Sequence, residues 1–282
     1  MTFKTRRRIG AVIYHTFVIA LMFVMVYPLV WMLSSSFKPQ DEIFRTAAKL
    51  IPSEFHFENY TNGWKGFGGI SFATFFKNSF YVTILSVIGQ VASSTIVAYG
   101  FTRIRFPGRQ LLFACMIVTM LLPAQILLIP QYIMFNNFGW LNTYWPLILP
   151  SYTGLPFFIF LIMQFIQGIP KELDEAAYID GCGKIRIFWK IIIPLAVPAI
   201  TTSSVFAFYW KWDEFMGPML YLQRTRLFTV SIAIKAFADP AAVTDWGAMF
   251  AMSVLSLIPC FVVFICFQKY LVEGIATTGL KG

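Results

Sequence analysis

The chain has 282 residues, of which 58% are hydrophobic, 18% aromatic and only 12% charged, against about 25% charged in an ordinary soluble domain. Its formal net charge is +9, from 22 Lys and Arg against 13 Asp and Glu. With a mean hydropathy of +0.69, this composition excludes a soluble globule, a disordered chain and a nucleic-acid binder, and assigns the basic excess to loops that hold a protein in a membrane.

A membrane-crossing helix takes about 20 mostly apolar residues. Stretches free of Asp, Glu, Lys and Arg therefore predict where such helices lie. The first is 9–37, apolar as far as Leu33. Lys4, Arg6, Arg7 and Arg8 precede it and Ser34, Ser35 and Ser36 follow, which is the layout of a secretory signal. Its apolar run exceeds the roughly 7–15 residues such signals use, so an uncleaved first span is expected. The second stretch is 78–102. The third, 110–170, is 61 residues long and cannot be one helix. It carries a polar, turn-like segment from Asn136 to Thr143 that contains Asn137, Gly139 and Asn142. Two helices are expected there, near 111–134 and 144–167. The last two stretches are 191–210 and 246–268.

The expected architecture is an all-α integral membrane protein of six transmembrane helices, with both termini on one face. The segments on the side of the termini hold 13 Lys and Arg, and those on the other side hold 7. That bias puts both termini in the cytoplasm. Pro28, Pro123, Pro130, Pro150, Pro156, Pro198 and Pro259 interrupt the apolar runs, which membrane helices tolerate when neighbours satisfy the freed backbone groups. Cys115, Cys182, Cys260 and Cys266 show no paired or metal-ligand spacing and are expected to be small buried hydrophobes.

Catalytic chemistry is not legible. Gly181-Cys182-Gly183-Lys184 lacks the spacing of a phosphate-cradling loop. His15 and His56 stand far apart, and neither a metal site nor a nucleophile constellation can be assembled. The spans are nearly bare of ionisable residues, the usual mark of intramembrane chemistry or ion coupling. The chain is therefore expected not to be an enzyme, to hold no cofactor or metal, and to draw its energy from elsewhere.

One loop, 170–194, is richer. Pro170 is expected to open a short helix in its first turn. Glu172, Asp174 and Glu175 follow near its positive end. Ala176 and Ala177 favour helix and present a small surface, and Gly181 suits a left-handed helix terminus. The physical expectation is a capped helix on the cytoplasmic face, either a plain connector or a docking knob.

The pattern Glu175-Ala176-Ala177, three residues, Gly181, nine residues, Ile191, one residue, Ile193-Pro194 resembles the coupling loop of permease subunits of ABC importers. Asp180 and Pro198 also match, while Cys182 and Ile193 stand where alanine and leucine are common. Trp212-Asp213-Glu214-Phe215 with Pro218-Met219-Leu220, Trp246 to Ala251, and Gln268 to Gly274 followed by Gly279 to Gly282 resemble segments of carbohydrate-uptake permeases. Asp213 replaces the commoner asparagine. The resemblance covers nearly the whole chain, most tightly 72–282, and is nearest to the smaller subunit of maltose-type permease pairs.

That resemblance implies a type I ABC importer permease fold. It divides the chain into an N-terminal part (1–71), a five-helix core (72–269) carrying the coupling loop, and a cytoplasmic tail (270–282). It implies a second, homologous permease subunit and two copies of an ABC ATPase that bind ATP and Mg. It also implies an extracytoplasmic solute-binding protein and a sugar or oligosaccharide substrate, in the cytoplasmic membrane of a bacterium or archaeon. Glu175, Ala176, Ala177, Asp180, Gly181, Ile191 and Pro194 would belong to the ATPase contact, the loop 217–245 would reach the binding protein, and the tail 273–282 would touch the ATPases. Tyr209, Trp212, Asp213 and Glu214 cluster with Trp210 near an outer span end, either as pathway-lining groups suited to a neutral polyol or as an interfacial aromatic belt. Alternatives are a permease for another solute, such as a glycerophosphodiester, and an autonomous secondary carrier.

Overall fold

The computed structural model describes residues 3–238 and 245–279, with side chains for 10–238 and 245–271. In chain order the helices are α1 (Phe3–Ser35), α2 (Glu42–Arg45), α3 (Glu58–Lys65), α4 (Phe72–Arg103), α5 (Arg109–Met120) and α6 (Ala124–Asn137). They continue with α7 (Trp145–Ile148), α8 (Pro156–Gln167), α9 (Glu172–Ile179), α10 (Lys184–Leu195) and α11 (Val197–Trp212). The last are α12 (Met216–Tyr221), α13 (Val230–Ala236) and α14 (Trp246–Gly279). Among the described residues the only β pairing is one isolated bridge, Phe67 with Ile70.

Four stretches cross a membrane by length and composition alone: Gly10–Ser35, Phe72–Arg103, Trp145–Gln167 and Trp246–Leu271. Two more are bent pairs, α5 with α6 at 99° and α10 with α11 at 75°. Counting each pair as one span brings the total to six.

The two bends fall in the helices expected at 111–134 and 191–210, at prolines that interrupt those apolar runs. In the first, Pro123 lies between α5 and α6 in extended conformation (φ −61°, ψ 128°). Its ring disfavours helix for Leu122, and it has no N–H to continue the ladder. Pro130, by contrast, is carried inside α6. In the second, α10 contains a π-turn at Phe188–Ile192 just before Pro194, and Ala196 breaks the helix before Pro198. The span expected at 144–167 is also divided. A 3₁₀ turn (Leu149–Thr153) and Gly154, at φ +81°, separate α7 from α8.

The chain forms two compact units. One comprises Met1–Phe72 and Ile234–Leu257. Within it, Lys38 is fully buried and its Nζ donates to the Lys49 carbonyl at 2.6 Å. The Asn59 amide donates to the Ser36 and Lys38 carbonyls at 3.0 and 2.9 Å, fixing the loop after α1. Glu42 accepts from the Ser53 amide and hydroxyl and from Thr46 Oγ1. Trp31 packs edge-on against Phe250 at 5.3 Å.

The other unit comprises Ala73–Ala233 and Ile258–Gly282. Small and hydroxylated residues let its helices approach closely, as membrane packing requires where lipid removes the hydrophobic drive. Gly89 of α4 faces the Tyr152 ring, Ser94 Oγ accepts the Leu155 amide at 3.1 Å, and Ser86 Oγ donates to the Leu147 carbonyl at 3.2 Å. Asn142, at φ +59°, accepts the Gln223 and Arg224 amides on its Oδ1 and ties the turn after α6 to the chain beyond α12.

The cysteines differ from the buried expectation. Cys115 and Cys266 are exposed, and Cys182 and Cys260 are half-buried. In a membrane helix an apolar side chain can face lipid, so apolar surroundings in sequence do not imply burial in protein.

Candidate functional site

The loop 170–194 folds as the short helix α9 followed by α10. Lys171 is the N-cap of α9, and its carbonyl accepts the Asp174 and Glu175 amides at 3.0 and 3.1 Å. Pro170 therefore precedes the cap and is not part of the first turn. Glu172, Asp174 and Glu175 do occupy the first turn, where the helix dipole favours them. At the other end Gly181 adopts φ +77°. Its amide donates to the Tyr178 carbonyl at 3.0 Å, and the Cys182 amide donates to the Ala177 carbonyl at 2.9 Å. These two bonds form a complete Schellman closure, with glycine at the position that needs a left-handed backbone.

The helix has two distinct faces. Asp174 and Ala177 point inward, and Ala177 packs into a core with Ile166, Ile169, Ile187 and Phe188. Glu175, Ala176, Asp180 and Gly181 point outward with Leu173, Tyr178 and the largely bare Ile179, which is 87% exposed. The two alanines therefore do different work: only Ala176 contributes to the small outward surface. Ile185 and Trp189 extend the exposed apolar area onto α10. Ile191, half-buried, lies in the π-turn, and Pro194 is exposed just beyond it.

A clip holds this loop to the end of α4. Arg103 Nε meets Asp174 Oδ2 at 2.8 Å, with both side chains buried. Arg103 also donates to the Ile169 carbonyl at 2.7 Å, and the Tyr99 hydroxyl donates to the Lys184 carbonyl at 3.0 Å. Sequence reasoning missed this clip. Arg103 reads there as a topology charge, and no spacing links residue 103 to 174.

The second group sits at the far end of α11. The Tyr209 hydroxyl donates to the Cys260 carbonyl at 3.0 Å. Trp212 is buried against Phe80, Phe208 and Phe76, with ring centroids 4.8, 5.6 and 6.1 Å away. Glu214 Oε2 accepts from Lys211 Nζ at 2.8 Å, and its carbonyl accepts from Ser231 Oγ at 2.8 Å. Asp213 caps α11 and is exposed. The other three face different partners: Tyr209 the Cys260 carbonyl, Trp212 the rings of Phe80 and Phe208, and Glu214 the side chains of Lys211 and Ser231. The loop 217–245 includes residues 239–244, which lie outside the described residues, as do residues 280–282 of the tail.

Apolar spans, bent pairs and a capped helix on a basic connecting loop define a polytopic helical membrane protein. The family model described as "Binding-protein-dependent transport system inner membrane component" matches residues 90–277. The probable ABC transporter permease protein YurM of Bacillus subtilis (strain 168) is 37% identical over 99% of this chain and 92% of that protein. The trehalose/maltose transport system permease protein MalG of Thermococcus litoralis is 32% identical over 94% of each. The fold is similar to a chain from the crystal structure of a bacterial ABC transporter involved in the import of the acidic polysaccharide alginate, with a TM-score of 0.82 and 22% identity over 96% of this chain and 99% of that one. This chain belongs to the family of binding-protein-dependent transport system inner membrane components. It is an ABC importer permease, a multi-pass transport subunit and not itself the catalyst. Such a subunit works with an ATPase, a binding protein and a second permease.

Proposed function

We propose that this chain forms half of the translocation pathway of an ATP-driven importer for a sugar or oligosaccharide. A second, homologous permease completes the pathway, and two copies of an ABC ATPase, which hold the ATP and Mg, dock on the permease pair. The assembly lies in the cytoplasmic membrane of a bacterium or archaeon, and an extracytoplasmic binding protein supplies the solute. The observation that carries the coupling role is the geometry of α9. The helix exposes Glu175, Ala176, Asp180 and Gly181 while Asp174 and Ala177 anchor it from within. A small, capped, anchored knob transmits a push to the span ends instead of absorbing it. Through Arg103 and Tyr99 a displacement of α9 and α10 is delivered to α4, and through α10 it reaches the bend before α11. Ile191 and Pro194 belong to that bend. The carbohydrate assignment rests on the Trp212-Asp213-Glu214-Phe215 segment and on relatives named for sugar transport. Tyr209, Trp212, Asp213 and Glu214 order the outer end of α11, and Asp213 is the member presented to a solute.

The test is purification of the tagged chain from its native membrane under mild extraction. A second permease and an ABC ATPase at two copies per chain pair are expected, and the co-encoded binding protein should bind a sugar. Glu175→Lys should leave the chain inserted while abolishing ATP-driven uptake. Recovery of the chain alone, even after cross-linking through an Ala176→Cys variant, would overturn the coupling assignment.

A further inference from the structure

Between α5, α8 and the end of α4 lies a cavity of about 560 Å³ with an amphiphilic lining. Its polar groups are Arg109 and Gln110, which open α5, and Gln164 and Gln167 in the last turn of α8. One turn further along each helix, Phe113 and Phe160 line it instead. Cation and amides stand at the end of the bundle that carries the basic loops, with Phe101 beside them, and Phe113, Phe160 and Met163 line the cavity toward the apolar interior. The Arg109 guanidinium and the three glutamine amides make no ion pair or hydrogen bond with another described residue. Arg103, a few residues earlier, is by contrast paired with Asp174 and donates to the Ile169 carbonyl. Arg109 is half-buried and the three glutamines are exposed at the span ends, so their donors are open to a ligand that arrives from the membrane surface. The first turn of α5 carries no acidic residue, so its N–H groups add to the same positive field.

We propose that this cavity binds an anionic phospholipid of the cytoplasmic leaflet. The headgroup phosphate pairs with Arg109 and accepts from the amides of Gln110, Gln164 and Gln167, while an acyl chain lies along Phe113 and Phe160. The volume suits a small-molecule site, and basic pockets between membrane helices on this side are the places where anionic headgroups settle. The ligand would wedge the start of α5 against the end of α8. It would thereby set the angle of a helix pair that is already bent at Leu121 to Pro123.

Native mass spectrometry of the full chain with its co-purifying subunits, titrated with phosphatidylglycerol or phosphatidylcholine, tests this. Phosphatidylglycerol should be retained in preference to phosphatidylcholine. Arg109→Gln should lower its retention about fivefold, the effect of one basic residue at an anionic surface. Gln167→Glu, which puts a negative charge into the lining, should lower it at least as much. Arg105→Gln, on an exposed residue of the same loop outside the cavity, should not. Equal retention of both lipids, or no change with Arg109→Gln and Gln167→Glu, would overturn the proposal. Displacement of the lipid by inorganic phosphate alone would overturn it as well, as would quantitative cross-linking of a Gln164→Cys variant to the second permease, which would make the cavity a protein interface.

Discussion

Arg103, the last residue of α4, meets Asp174 in the first turn of α9 at 2.8 Å, across 71 residues of sequence, with both side chains buried. A buried pair is expensive to break because the survivor is left charged and unpaired. Arg103→Ala or Asp174→Ala should each cost about 3–5 kcal/mol of local stability. The readout is protease sensitivity of the 170–194 loop together with loss of uptake. The double variant Arg103→Met with Asp174→Leu should recover much of the stability, because an apolar replacement of the whole pair removes the desolvation cost. Single variants with unaltered protease resistance would show that the pair does not hold the loop.

Gly181 closes α9 at φ +77°, and a Cβ added there meets nothing within 4 Å. Any cost of substitution within this chain is therefore conformational. Gly181→Val should destabilise the helix end by about 1–2 kcal/mol, while Gly181→Asn should be milder because asparagine enters the left-handed region. Amide exchange at Gly181 and Cys182 should be faster in the valine variant and nearly unchanged in the asparagine variant. Equal exchange in the two would remove the backbone argument.

Gly89 lets α4 pass close to the 3₁₀ turn of the fourth span. A Cβ at this position would clash with the Tyr152 ring. Gly89→Ala should lower the melting temperature of the detergent-solubilised chain, since overpacking costs about 1–3 kcal/mol. Adding Tyr152→Ala should relieve most of that loss. If the double variant melts no higher than Gly89→Ala, the steric account fails.

Glu42 lies outside the spans. Hydrogen bonds from Ser53, chiefly its hydroxyl, hold the Glu42 carboxyl below its ordinary value of 4.5, with Lys49 adding to the effect. A carboxyl lowered in the folded state stabilises the fold fully above its ordinary value and loses that contribution as pH falls through the folded one. Glu42→Gln should make the 36–57 loop easier to cleave at pH 7, and the difference from wild type should shrink as pH drops below 4.5. A difference that persists unchanged into acid would show that the charge of Glu42 is not what orders the loop.

The charge-free apolar runs were enough to establish a helical membrane protein and to place five of its six candidate spans within several residues. Those signals are local in sequence and large in energy, since a charged residue at the bilayer centre costs about 3 kcal/mol or more. The left-handed end of α9 was legible for a similar reason, because a glycine at that offset has few other uses. The bends were not. Pro123 breaks a helix where Pro130 is carried inside one, and the two read alike in the sequence. Tertiary structure alone decided that Ala177 turns inward while Ala176 stays outside, and that Arg103 is an anchor while Arg109 lines a cavity. A charge in a loop reads the same whatever it pairs with. Its partner is chosen by packing between segments distant along the chain, and no pattern within either segment records that choice.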